Sequence, residues 1–206
     1  MSTLHFRQMS KYSKSEHNKN IKFNKLLDAA ADLFADKSIH DISITEIVKK
    51  AGVAKGTFYL YFKDKYELQD YILVRTAYEI LNDAMEQVSK EDINNVADKI
   101  IRLIDIIISY LQSNTKTINF IEKNLSSGLY SDKLHQLIDE NSDDYIQLFI
   151  NDLKNHDQEV EDPEITIYMV VELVSSTIFN SIVYSRPLPV DQFKPILYKK
   201  VKLLLN

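Results

Sequence analysis

Cysteine is absent from the chain, which excludes disulfides and thiolate metal sites and suits a reducing cytoplasm. Glycine and proline are scarce, with three and four copies in 206 residues. Long stretches therefore run without a helix breaker, and an all-α fold is expected. Met1–Asn20 has no apolar core, so no signal peptide is expected there. No membrane span is expected either, since a stretch such as Ile100–Tyr110 is interrupted by Arg102 and Asp105. His5, His17, His40, His135 and His156 are scattered without ligand spacing, and no metal or cofactor is expected. No nucleophile elbow, phosphate loop or HExxH pair occurs, so nothing points to an enzyme.

What the chain does have is an uneven charge. The net charge is −5, yet residues 1–68 carry 12 Lys/Arg against 8 Asp/Glu, and residues 69–206 carry 13 against 22. Residues 1–25 hold Arg7, Lys11, Lys14, Lys19, Lys22 and Lys25 with Glu16 as the one acid. A basic front end on an acidic body fits a chain that meets a polyanion at one end. A solvated, disordered tail would look the same on charge alone. Residues 1–19 are read as a flexible basic arm.

Hydrophobic spacing then marks the helices. Phe23, Leu26, Leu27, Ala30, Leu33 and Phe34 form one face of a helix expected over Asn20–Asp36. Ser43 with Glu46 three residues on has capping-box spacing, and Ile44, Ile47, Val48 and Ala51 form the buried stripe of a short second helix. Gly52 follows where a left-handed turn needs a residue without a Cβ. A third short helix is expected from about Ala54 to Tyr61, with Phe58 and Phe62 inward and Lys55, Thr57, Tyr59 and Tyr61 outward. Asp64 and Glu67 start a fourth helix reaching about Val88. Helix, tight glycine turn and helix make a helix-turn-helix, whose second helix fits the major groove. The remaining helices are expected over residues 93–113, 116–125, 131–155, 163–184 and 190–205, about nine in all. The acidic residues Asp139, Glu140, Asp143 and Asp144 read as a solvated face.

The segment LLDAAADLFADKSIHDISITEIVKKAGVAKGTFYLYFKDKYEL resembles the TetR family of bacterial regulators. The resemblance covers residues 22–70, about the first third of the chain. It departs from the family pattern at Ser38, where Gly is usual, and at Ala54, where Ser or Thr is common as a cap. It implies a three-helix DNA-binding domain over residues 20–66 and a helical ligand-binding and dimerisation domain over 67–206. By the same resemblance Thr45 contacts a phosphate or base, and Lys55, Gly56 and Thr57 meet base edges. Tyr59 and Tyr61 hydrogen-bond phosphates, and Lys65 clamps a phosphate. The competing readings are that the two tyrosines pack on the first or fourth helix and that the lysines are merely solvated.

One recognition helix offers few contacts, and helix-turn-helix proteins pair to bind two half-sites about 34 Å apart or a multiple of that. Residues 163–184 are apolar almost all round, so one face should meet a partner. Tyr168, Val171, Ser175, Phe179 and Ile182, with Phe193, Leu197 and Val201 in the last helix, are the expected homodimer interface. The family resemblance implies a four-helix interface from these two helices. It also implies a small-molecule effector in the body that releases a repressor from a palindromic operator. Tyr110, Phe120, Tyr145, Phe149 and Tyr168, and further Tyr130 and Phe179, are the aromatics available to line a pocket, and each is also an ordinary core residue. The alternative is the same fold without an inducer, with the acidic body binding a protein partner.

Overall fold

A computed structural model of the chain describes residues 14–121, 145–154 and 160–205. Among them the protein is all α, with no strand. The helices are α1 Lys14–Asp36, α2 Ile44–Ala51, α3 Lys55–Tyr59, α4 Lys65–Val88, α5 Val96–Ser113, α6 Thr115–Ile121, α7 Tyr145–Lys154, α8 Pro163–Tyr184 and α9 Val190–Leu204, with a 3-10 turn at Ile39–Asp41. The acidic residues 139–144 and the tyrosine at 130 lie outside the described residues.

Helix α1 begins six residues before the expected Asn20. Apolar spacing detects only the part of a helix that is buried, and Lys14–Asn20 contains neither glycine nor proline to stop the helix running on. From His17 to Lys22 this extension is exposed. Part of the residue 1–19 arm is therefore helical.

Two hydrophobic cores share the long helix α4. The first joins Leu26, Leu27, Ala30 and Phe34 of α1 to Ile47 and Val48 of α2, Phe58 of α3, and Phe62, Leu68 and Ile72. Its edge is tiled by aromatics: Phe23 stacks on Phe62 at 5.6 Å and meets Tyr61 and Tyr71 edge-on at 5.2 and 5.3 Å. The second runs from Ala77 through α5 to α9. Leu68 and Ile72 place the first two turns of α4 in the first core, and Ala77 onward places the rest in the second.

In the body, Asp105 of α5 holds α9. It accepts from Lys194 at 2.9 Å and from the Tyr198 hydroxyl at 2.7 Å, and pairs with Arg102 at 3.2 Å. Burial alone would raise the Asp105 pKa. The hydrogen bonds from Lys194 and Tyr198 and the neighbouring cations outweigh it and leave the carboxyl below its usual range. Helix α8 is long and apolar enough to cross a membrane by length and composition, contrary to the expectation that no run would be. Its inner side, including Ile167, Val170, Val174 and Ile178, is buried in the second core.

Candidate nucleic-acid interface

The interface begins with how α2 ends and α3 starts. Ser43 caps α2 through its side chain, accepting from the Glu46 amide at 3.1 Å. Glu46 returns the bond to the Ser43 amide at 2.9 Å. This reciprocal pair lowers the Glu46 pKa, chiefly through the Ser43 amide. Gly52 closes α2 in the left-handed region at φ 66°. Ala54 opens α3 with no side-chain cap, as its missing hydroxyl requires. Ser38, where glycine was the usual residue, sits at φ −59° and needs no glycine; its hydroxyl accepts from the His40 amide at 3.4 Å.

The two described glycines of this unit differ in what they require. A Cβ at either would meet no atom within 4 Å, but only Gly52 has positive φ. Gly52→Ala is therefore expected to cost about 1–2 kcal/mol through backbone strain alone. Gly56→Ala, inside a helix, should raise stability by about 0.5–1 kcal/mol and still weaken DNA binding, because the added methyl faces outward. Thermal melting paired with a binding titration checks both signs; a Gly56→Ala protein that binds DNA as tightly as wild type would contradict the second.

Helix α3 turns one side inward and one outward. Phe58 is fully buried and Phe62 nearly so, as the spacing predicted. Lys55, Gly56 and Tyr59 are exposed, Thr57 is half-buried, and Thr45 at the start of α2 is exposed. These five supply donors and open backbone, and the polar tips of Lys55, Thr57 and Tyr59 have no hydrogen-bond partner among the described residues. Leu60, next to Tyr59, is 77 % exposed and was not singled out from the sequence. Its signal was only a break in the polar pattern of the outer face.

Two expected contacts are placed differently. Lys65 was expected to clamp a phosphate. Its ammonium instead donates to the carbonyls of Ile39 at 2.6 Å, His40 at 3.2 Å and Ile42 at 2.8 Å. All three of its donors are engaged, and it fastens the α1–α2 connection to the start of α4. Tyr61 was expected to face phosphate, yet its hydroxyl donates to the Lys19 carbonyl at 2.9 Å, and its ring lies against Phe23. The competing reading, contact with the first helix, is what the geometry has. One consequence is that exposed Lys19 and Lys22 of α1 stand beside the α3 end of the surface.

The body corrects two further expectations. Ser175, Phe179, Leu197 and Val201, expected at a dimer interface, are buried within the protomer. A helix apolar all round gives no spacing by which its inner face can be told from its outer one. Tyr168 is exposed, and Val171, Ile182 and Phe193 are half-buried. Other outward apolar residues are Ile165, Met169 and Tyr184 of α8 with Ile196, Leu203 and Leu204 of α9. Ile165, Met169, Leu203 and Leu204 line one shallow groove.

The aromatics expected around one pocket do not converge among the described residues. Tyr110 lines a groove of about 190 Å³ between α4 and α5 with Thr76, Ile80 and Asp83. Phe149 and Phe179 are core residues and Tyr168 is on the outside. Tyr145 begins α7, with its side chain outside the described set. Phe120 stacks on Phe34 at 6.2 Å with nearly parallel rings and touches both cores. Beside it Lys116 pairs with Asp36 at 3.3 Å.

Comparison with known proteins agrees with this geometry. Residues 26–72 match the family described as bacterial regulatory proteins, tetR family. The chain is 52 % identical over 44 residues to the uncharacterized HTH-type transcriptional regulator YvdT of Bacillus subtilis, covering 21 % of this chain and 23 % of that one. Such short matches span about a quarter of the relative's length. The uncharacterized HTH-type transcriptional regulator YhgD of the same organism is 26 % identical over 157 residues, 75 % of this chain and 81 % of YhgD. Among solved structures, the transcriptional regulator FadR of Bacillus subtilis in complex with stearoyl-CoA superposes with a TM-score of 0.61 at 18 % identity. That match covers 89 % of this chain and all of FadR. The higher identities are confined to short stretches, 44 residues for YvdT, whereas the likeness in fold to FadR covers 89 % of this chain.

Proposed function

We propose that the chain, whose residues 26–72 match the tetR family of bacterial regulatory proteins, is a sequence-specific DNA-binding transcriptional regulator acting as a homodimer on a palindromic operator. The observation that carries this reading is the outer surface of α3: Lys55, Gly56 and Tyr59 stand exposed on a helix whose other side is locked into a core by Phe58. Lysine and tyrosine donate to phosphates and base edges, and Gly56 lets the backbone approach the groove. Selection from a random DNA pool at physiological salt tests it. Enrichment of a two-fold symmetric sequence is expected, and failure to enrich any sequence would overturn the reading.

The dimer is supported by the outward apolar groove between α8 and α9. Met169→Glu places a charge there and is expected to convert a dimer into a monomer at micromolar concentration. Light scattering should then report the chain mass of 24.0 kDa instead of twice that value. An unchanged dimer mass would remove this surface from the interface.

The regulator is a repressor released by a small molecule held in the body. Supporting this is the fold shared with FadR, a regulator whose structure holds stearoyl-CoA. Acyl-CoA is accordingly the first effector class to assay. Phe120 and Lys116 of α6, which touch the end of α1, are where a change in the body would reach the DNA-binding unit. Coupling requires an effector that binds the two conformations unequally.

A further inference from the structure

We propose that Leu60 is a specificity-determining residue that reads the 5-methyl group of thymine in the major groove. This inference rests on the DNA-binding reading above and adds a base-specific contact to it. A single exposed leucine usually needs no explanation; its setting supplies one here. Leu60 is the most exposed of the large apolar side chains on the described surface, at 77 %. It continues α3 in the right-handed helical region, at φ −74° and ψ −21°.

Gly56, Tyr59 and Leu60 are spaced i, i+3 and i+4, so they share the outer face of α3. No atom lies within 4 Å of where a Gly56 Cβ would stand. The face is thus a low glycine floor flanked at its far end by a phenol and an isobutyl group. When the floor enters the groove, both flanking groups are carried into it. Tyr59 brings a hydroxyl that can donate or accept. Leu60 brings nothing that hydrogen-bonds, and desolvating it is favourable only against an apolar surface. The major groove offers one such surface, the thymine methyl, which no other base of unmodified DNA carries. A leucine in that place rewards thymine and penalises cytosine, whose edge presents an amino donor needing a partner.

The experiment uses the full-length protein and the duplex enriched from a random pool. Each thymine of a half-site is replaced by dU, in both half-sites at once, so that only the methyl is lost. For wild type, one or two positions are expected to weaken binding about threefold to tenfold per half-site, the scale of one buried methyl contact. In Leu60→Ala those penalties should vanish while dU substitutions elsewhere act as in wild type. Being exposed, the substitution should leave the melting temperature unchanged, which is measured alongside. Identical dU penalties in Leu60→Ala and wild type, or none in wild type, would overturn the role of Leu60 and leave the DNA-binding reading standing. A wild-type protein that enriches no sequence would overturn both.

Discussion

Phe58→Ala is expected to lower stability by about 3–5 kcal/mol, the range for emptying a buried aromatic site. Phe58 is fully buried, with its ring 5.9 Å from Phe62 and 5.4 Å from Tyr59. It is the buried residue of a five-residue helix. A helix that short does not hold itself together in water, so α3 exists because Phe58 anchors it. Whole domains are stable by about 5–15 kcal/mol, and the loss falls on the smaller of two cores. The melting temperature should drop by roughly 6–20 °C. Amide exchange should show α2 and α3 losing protection while α5 and α8, which belong to the other core, keep theirs. Uniform loss of protection across both cores would show that the two cores unfold as one.

Tyr59→Ala, one residue along, should do the reverse. Tyr59 is 53 % exposed, and its removal forfeits little more than an edge contact with Phe58, at most about 1 kcal/mol. Its hydroxyl is expected to donate to a backbone phosphate. Losing a hydrogen bond to a charged group costs about 1.5–3 kcal/mol. That is about tenfold to a hundredfold in affinity per half-site, and the dimer pays it twice. The expected protein is fully helical by circular dichroism, with an unchanged spectrum, and nearly inactive in a gel shift. Wild-type affinity would return Tyr59 to the surface residues without a role.

How much of this was legible in the sequence follows from the range over which each feature is determined. The Ser43–Glu46 capping box, the left-handed Gly52 and the inward pair Phe58 and Phe62 depend on residues no more than four apart, and all were readable. Lys65 was not, because its three acceptors lie 23 to 26 residues away in a turn whose carbonyls become available only after folding. The Tyr61 contact is equally hidden in the sequence, its acceptor being 42 residues distant. In α8 the difficulty was of another kind. With apolar residues on every side, the pattern carries no direction, and Ser175 and Phe179 point into the protomer while Ile165 and Met169 point out. Small and aromatic residues gave no clue to this; the neighbours α5, α7 and α9 decide it. The pocket aromatics Tyr110, Phe120 and Phe149 sit on different helices, an arrangement that residue type alone does not reveal.

Leu60 shows a related limit. In the sequence it is one apolar residue in a run of aromatics, and core and surface placement look alike. The fold gives it meaning by exposing it on the same face as Gly56 and Tyr59.

The α3 surface is expected to bind DNA by sequence. Fluorescence anisotropy of the wild-type protein on its enriched duplex and on a scrambled duplex of equal length, repeated from 50 to about 200 mM salt, tests it most directly. Tighter binding to the enriched duplex is expected by about a thousandfold or more. Affinity for both duplexes should fall linearly in log–log form as phosphate contacts release counterions. Equal affinity for the two duplexes, or binding indifferent to salt, would contradict the account.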